Sequence, residues 1–453
     1  MFDKLSDFLQ KHIMPIANKL SANKELTAVR DGMVVAVPAT IFGAIALILT
    51  NIPYLDKVAP GVQNWLSNFF SQANPITIGM IALLVLIGMA NSYAGQLKEN
   101  KIYGVIVAIT SFLAITIFSN TGDSMVKGKV VHNVVTENVI PTSVFSSSGV
   151  FTVIIVTLIS IRLYHFFTLK HWTIRMPDAV PPNVSQSFAS LLPMTLTLLF
   201  FIIVRNLFLL TPFQSFQNFI YQIFTTPLLK VGDSVWAVLF FILVQQVLWF
   251  FGIHGTNVVM SVWSPILLTM MTANLDAYNA GKALPYIVSQ TFWQVYSEPF
   301  ILCIPVLLLF CKSVQAKAMG KMSIIPAMFC INEPFLFGLP VILNPILFIP
   351  WIFAYILQFL LMYGLAVIHW IPIPVVPVPW TTPPIISGLL ATNFNIMGAV
   401  AQILSFLLGL ALWYPFMKIL DKSMLAKEKK DAEDKEAAEA SEDADTAAPA
   451  GQD

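Results

Sequence analysis

Apolar stretches of about 20 residues recur along the chain near 33–51, 76–95, 101–118, 148–166, 188–210, 234–252, 345–368 and 396–416. Each is long enough to carry a helix across the hydrocarbon core of a bilayer, so the pattern predicts an all-α polytopic membrane protein. Between 258 and 340 the apolar pieces are shorter or broken, and no clear crossing is predicted there. Ahead of the first span, Phe2, Leu5, Leu9, Ile13, Ile16 and Leu20 share one helical face, with Lys4, Lys11, Lys19 and Lys24 elsewhere. That arrangement predicts a segment lying on the membrane surface. No small-residue cleavage site accompanies it, so a removable signal peptide is not expected.

The interruptions divide the chain. Up to about 230 the spans are regular apart from Pro38 and Pro193, whereas beyond 231 breaks recur at Gly252, Gly255, Pro265, Pro299, Pro305, Pro334, Gly338, Pro340, Pro345 and Pro350. Proline lacks an amide hydrogen and clashes with the preceding turn, so a continuous helix cannot hold many of them. Broken backbone at membrane depth survives only inside protein or beside a cavity. The expected organisation is therefore a cytoplasmic amphipathic segment at 1–30, a scaffold and dimerisation domain at 31–230, a substrate-binding transport domain at 231–420 and an acidic tail at 421–453. The tail is Ala, Asp, Glu and Lys from Ala426 on and is expected to be disordered. Residues 371–384, six of them proline, predict an extended loop carrying Trp380.

Composition excludes a soluble domain: 57% of the 453 residues are hydrophobic and 11% charged, against roughly 25% charged in an average soluble domain. The net charge of +1 says little, and no nucleic-acid partner is expected. Its distribution says more. Basic residues cluster up to Arg30, at Lys98 and Lys101, across Arg162, Lys170 and Arg175, and after Lys418, which places both termini in the cytoplasm; Lys127 and Lys129 oppose that reading. Cys303, Cys311 and Cys330 lack metal or redox spacing and read as packing residues, so neither metal nor cofactor is expected.

Against this apolar background two groups stand alone. Glu333, in Ile331-Asn332-Glu333-Pro334-Phe335, is the one acid or strong base between Lys321 and Lys418, and His254 is the one imidazole between Ser234 and Leu275. An ionisable group in a bilayer costs roughly 2.5–3.5 kcal/mol, so it persists only where a partner, water or a ligand compensates it. A carboxylate accepts hydrogen bonds and a neutral imidazole does one of each, which suits sugar hydroxyls. Asn332 adds an amide, Gly255 and Gly252 open the backbone beside His254, and Trp249 and Trp380 offer flat apolar faces to a pyranose ring. Bland readings stand beside these. Glu333 can tie backbone amides across a broken helix, His254 can bridge helices, and the tryptophans can face lipid or an interfacial belt. Ser297-Glu298-Pro299-Phe300, with Pro305 after it, echoes Asn332-Glu333-Pro334-Phe335, with Pro340 after it; it reads equally as a plain helix start, and Glu298 is expected to be secondary.

Gly252-Ile253-His254-Gly255, Asn332-Glu333-Pro334, the proline loop ending in Trp380 and Val180-Pro181-Pro182-Asn183-Val184-Ser185-Gln186-Ser187-Phe188 resemble the membrane IIC component of the bacterial sugar phosphotransferase system, in its lactose, cellobiose and diacetylchitobiose branch. The resemblance covers about residues 5–420. It implies ten membrane helices with two re-entrant hairpins, a homodimer formed through the first half, and the bacterial inner membrane as location. It further implies a β-linked disaccharide as substrate, with Glu333 and His254 holding the 6-hydroxyl that is phosphorylated. Trp249, Trp380, Asn332, Gly255 and Asn91 would complete the site. The phosphoryl donor would be a phosphocysteine on a separate IIB protein, itself supplied by IIA, because no cysteine here lies in a phosphate-cradling loop. Lactose carriers with a fused IIB domain contrast with the tail of this chain, which favours cellobiose or chitobiose. A proton-coupled symporter is the alternative, with Glu333 protonated in the cycle. An intramembrane hydrolase finds no His-Glu-x-x-His or Gly-x-Ser-x-Gly motif.

Overall fold

The computed structural model describes Lys19 and residues 22–446 apart from 51, 53, 127, 128, 175, 178, 179, 298 and 340–343. The surface helix expected over the first residues, with Arg175 and Glu298, lies outside the described residues. The principal elements are α1 (Lys24–Thr50), α2 (Ile81–Gln96), α3 (Lys101–Ile115), β1 (Ser119–Val126), β2 (Lys129–Glu137), α4 (Val150–Leu169), α5 (Pro182–Leu209), α6 (Val235–Phe250), α7 (Gly255–Asn279), α8 (Gln290–Tyr296), α9 (Val314–Met328), α10 (Glu333–Gly338), α11 (Pro345–Val367), α12 (Ile386–Ala391) and α13 (Ile396–Thr446). β1 and β2 form one antiparallel hairpin, pairing Ser119 with Glu137 and Val126 with Lys129.

Among the described residues seven helical runs are long and apolar enough to cross a membrane: Lys24–Thr50, Pro60–Gln96, Ser147–Leu169, Pro182–Leu209, Gly255–Asn279, Ile346–Val367 and Ile396–Glu433. The pair Phe216–Gly232 and Val235–Phe250, bent by 75°, makes an eighth if counted as one span. Each of the eight apolar stretches falls on a helix, although α3 has only 15 residues.

Three expectations are corrected. α7 is one helix of 25 residues running through Pro265, where the sequence offered only broken pieces. Neighbouring helices can re-satisfy the carbonyl a proline orphans, so Pro265 does not end the helix. α1 begins at Lys24 and takes residues 24–30 from the expected surface segment into the first long helix. The tail is helical through Thr446. Disorder followed from its lack of apolar surface, but Ala, Glu and Lys are strong helix formers, and α13 extends from a packed span. Its polar part is also tied down. Asp421 accepts from the amides of Lys312 and Ser313, and Glu428 from the Ser313 hydroxyl and the Gln315 amide, so two carboxylates cover the N-terminus of α9.

Three large apolar cores hold the helices, with two smaller clusters beside them among the described residues. One joins α1, α2, α3 and α4 around Val85, Met89, Phe112 and Val156. A second surrounds Trp263, Phe292, Tyr296 and Phe359, and a third surrounds Trp351, Trp413, Cys303 and Phe335. α1 packs against both α2 and α7. Polar rungs fix its register on α2, with Tyr93 donating to Glu25 at 2.8 Å and Ser92 donating to Asp31 at 2.6 Å.

Candidate functional site

The four residues Gly252-Ile253-His254-Gly255 join α6 to α7, and each has a separate physical task. Gly252 has φ 77°, a left-handed conformation that closes α6; its amide donates to Trp249 O and the Ile253 amide to Leu248 O. This is a Schellman end, and Ile253 supplies its apolar contact with Leu248. His254 then caps α7, its Nδ1 accepting from the Asn257 amide at 3.2 Å. Acceptance at Nδ1 assigns the proton of the neutral ring to Nε2, which makes that nitrogen a donor. A Cβ on Gly255 would lie 2.1 Å from Gln245 O, so glycine lets α7 start against α6. Trp249 lies with its ring centroid 4.3 Å from that of His254 and donates from Nε1 to Thr256 Oγ1 at 3.0 Å.

α9 leads to the second motif. Asn332 precedes α10 and donates from Nδ2 to Cys330 O at 3.2 Å, and Pro334 occupies the first turn, where its missing amide hydrogen costs nothing. Glu333 opens α10; its side chain lies outside the described residues. The proline loop is non-helical, as its composition demands. The amides of Val375 and Val376 donate to Ala391 O, and the Tyr296 hydroxyl donates to Pro372 O. Gln402 holds the end of the loop, with Oε1 accepting from Ile385 and Gly388 amides and Nε2 donating to Val295 O and Ser387 Oγ. Ile385, a β-branched residue at φ 74°, is strained there, and these bonds keep it in place.

These segments enclose one cavity of about 630 Å³, within the roughly 300–1,000 Å³ of small-molecule sites. Trp249, His254, Asn332 and Trp380 all line it. Gly255 and Asn91 do not. Gly255 serves helix packing instead, and Asn91 is an exposed residue of α2. The cavity also holds residues the sequence reading missed: Gln245, Gln246, Gln290 and Gln294, with Ser264, Cys330 and Tyr355. A further wall is α1, through Arg30, Met33, Val34, Val37, Pro38, Thr40 and Ile41, and the face of α7 from Asn257 to Met271 contributes another. Among the described residues, the oxygens Gln245 Oε1, Gln290 Oε1 and Ser264 Oγ are buried without a hydrogen-bond partner. Buried polar atoms are rarely left unsatisfied, so these await a donor from water or a ligand. Two neutral glutamines side by side in an otherwise apolar helix, and a second pair spaced four apart on α8, were the available signal.

Membrane-spanning helices around an amide-rich cavity, with indole faces and a histidine donor, define a polytopic carrier of a small polar solute. A family model described as "Phosphotransferase system, EIIC" matches residues 30–354. The oligo-beta-mannoside-specific EIIC component of Bacillus subtilis (strain 168) is 35% identical over 443 residues, covering 95% of this chain and 97% of that protein. The cellobiose-specific EIIC component of Geobacillus stearothermophilus is 30% identical over 445 residues, covering 95% and 97%. The crystal structure of the transporter ChbC, the IIC component from the N,N'-diacetylchitobiose-specific phosphotransferase system, superposes with a TM-score of 0.86 at 31% identity, covering 93% of this chain and 99% of that one. The chain belongs to the phosphotransferase system EIIC family and is a multi-pass membrane protein of the bacterial inner membrane.

Proposed function

We propose that this chain is a sugar permease that binds a β-linked disaccharide of the cellobiose, diacetylchitobiose and lactose class in the 630 Å³ cavity and delivers it to the cytoplasm. The carrying observation is that Trp249, His254, Asn332 and Trp380, from three distant stretches of chain, line one cavity together with four glutamines. The names of the cellobiose-specific and diacetylchitobiose-specific relatives support the substrate class.

On this reading the sugar's 6-hydroxyl accepts from His254 Nε2–H and donates to the Glu333 carboxylate, so its lone pair is oriented and its proton has an acceptor. A separate IIB protein, charged by IIA, brings the phosphoryl group as a phosphocysteine. Transfer converts the sugar to an anion that cannot return through the apolar wall. Residues 231–420 move as a transport domain against a dimeric scaffold formed by 31–230, with both termini cytoplasmic, in a fold of ten membrane helices and two re-entrant hairpins. Equilibrium binding of a disaccharide panel to purified protein, followed by phosphodisaccharide formation with phosphorylated IIB, tests the proposal. Uptake driven by a proton gradient without the phosphotransfer proteins would replace it with a symporter.

A further inference from the structure

Arg30 is the only Lys, Arg, Asp or Glu among the described residues lining the cavity; its ion-pair partner Asp31 does not line it, and a neutral disaccharide offers the guanidinium no charge there. Hydroxyls are served by the amides and the imidazole. A guanidinium instead matches a phosphoryl group, whose planar array of oxygens takes two parallel N–H bonds. We propose that Arg30 binds the phosphoryl group during its transfer to the sugar, a role that rests on the permease reading above.

The guanidinium is held from one side. Its Nε and Nη2 both donate to Asp31 Oδ1, at 3.3 and 3.0 Å, and Asp31 Oδ2 accepts from Ser92 on α2. Two of its five N–H donors are thus taken among the described residues, which leaves three for an oxyanion. A cation fixed before the reaction stabilises developing charge without reorganising, which is where catalysis gains most. Its place on α1 is also apt. The lining stripe runs from Arg30 to Ile41, about 16 Å at 1.5 Å per residue, and Arg30 stands at the end nearest the basic N-terminal residues, the side a cytoplasmic phosphoprotein approaches.

In the step itself the S–P bond of the partner's phosphocysteine breaks, leaving its electron pair on sulfur as a thiolate. A lone pair of the sugar hydroxyl forms the new O–P bond, and the hydroxyl proton passes to the Glu333 carboxylate. Charge is spread over three equatorial phosphoryl oxygens in the transition state, and Arg30 faces that charge.

The test uses the full chain in proteoliposomes with phosphorylated IIB, comparing sugar Kd and the rate of phosphodisaccharide formation. Arg30→Gln is expected to lower the rate about 10²- to 10³-fold, the usual loss for one such donor. Its Kd for unphosphorylated sugar stays within about threefold, because the interaction exists only once phosphate arrives. Arg30→Lys recovers part of the rate, keeping charge without the fork. An unchanged rate in Arg30→Gln overturns the assignment, as does a fall in affinity equal to the fall in rate. Wild-type protein that binds sugar but forms no phosphodisaccharide removes the permease reading itself, and this role with it.

Discussion

One side of the cavity is the face of a single helix, whereas the rest combines helix faces, such as Met260, Ser264, Leu268 and Met271 of α7, with several helix ends. On α1 the lining positions 30, 33, 34, 37, 38 and 41 follow the three-and-four spacing of one helical face, with Thr40 beside them, and apart from Arg30 and Thr40 they are apolar. Opposite them, His254 caps α7, Trp249 lies in the last turn of α6, Asn332 precedes α10 and Trp380 sits on a loop. A continuous helix satisfies its own backbone and presents only side chains. Helix ends expose polar groups and the residues that cap them, so in the proposed function recognition is assigned to the helix ends and the exclusion of water to α1. Glu333→Gln tests this division most severely. The mutant amide brings two donors where an acceptor is needed, so phosphorylation is expected to vanish. Sugar affinity is expected to fall about 10- to 150-fold, the about 1.5–3 kcal/mol of a hydrogen bond to a charged group. Near-normal binding and phosphorylation would remove Glu333 from the site.

His254 separates two roles that the helix-end wall combines. As N-cap of α7 it satisfies the Asn257 amide, and as a donor it is assigned to the sugar. His254→Ala loses both, and thermal unfolding in detergent is expected to report a loss of about 1 kcal/mol from the cap. His254→Asn restores a good capping acceptor, so stability returns. Sugar binding stays about tenfold weaker in both variants, consistent with one lost hydrogen bond. Affinity that recovers along with stability in His254→Asn would make the histidine purely structural.

The same division explains what could be read in advance. Continuous spans announce themselves by hydropathy, and α1, α4, α5, α11 and the apolar part of α13 fell where the pattern put them. α7 escaped because Pro265 and its polar residues lower the apolar signal, while hydrogen bonds to the Tyr286 backbone and to the Leu268 and Thr269 carbonyls satisfy the buried Asn274 and Thr272. The ionisable residues were visible because isolation in an apolar sequence is costly. Gln245 and Gln246 were not, since neutral amides barely disturb hydropathy, and their importance rests on α6 facing the cavity. Gly255 was assigned to the ligand because its neighbour carries chemistry, but a backbone contact between helices requires it. Arg30 looked like one more basic residue before the first span until α1 was seen to begin at Lys24.

Cys330 gives the comparison a chemical probe. It lines the cavity between α9 and Asn332, whereas Cys303 and Cys311 are buried in the third core. Burial, reinforced by the Asp421 carboxylate, pushes the Cys311 thiol up to about 11, so little of it is reactive thiolate at neutral pH. Maleimide labelling of native protein should therefore fall on Cys330, and saturating cellobiose should slow it severalfold. Labelling that is indifferent to a disaccharide shown to bind would put the sugar elsewhere.

The smallest effect is expected on the unbroken side. Val37 belongs to the apolar stripe of α1, and Val37→Ala removes only methyl groups while leaving the helix backbone intact. Two fully buried methyls would be worth about 1.6 kcal/mol, but Val37 is 39% exposed and a sugar face that is itself half polar recovers less than half of that. Affinity should therefore fall no more than about threefold. Isothermal titration against wild type resolves such a change. A loss comparable to that of Glu333→Gln would mean that α1 makes specific contacts of its own, and recognition would then belong to both sides of the cavity.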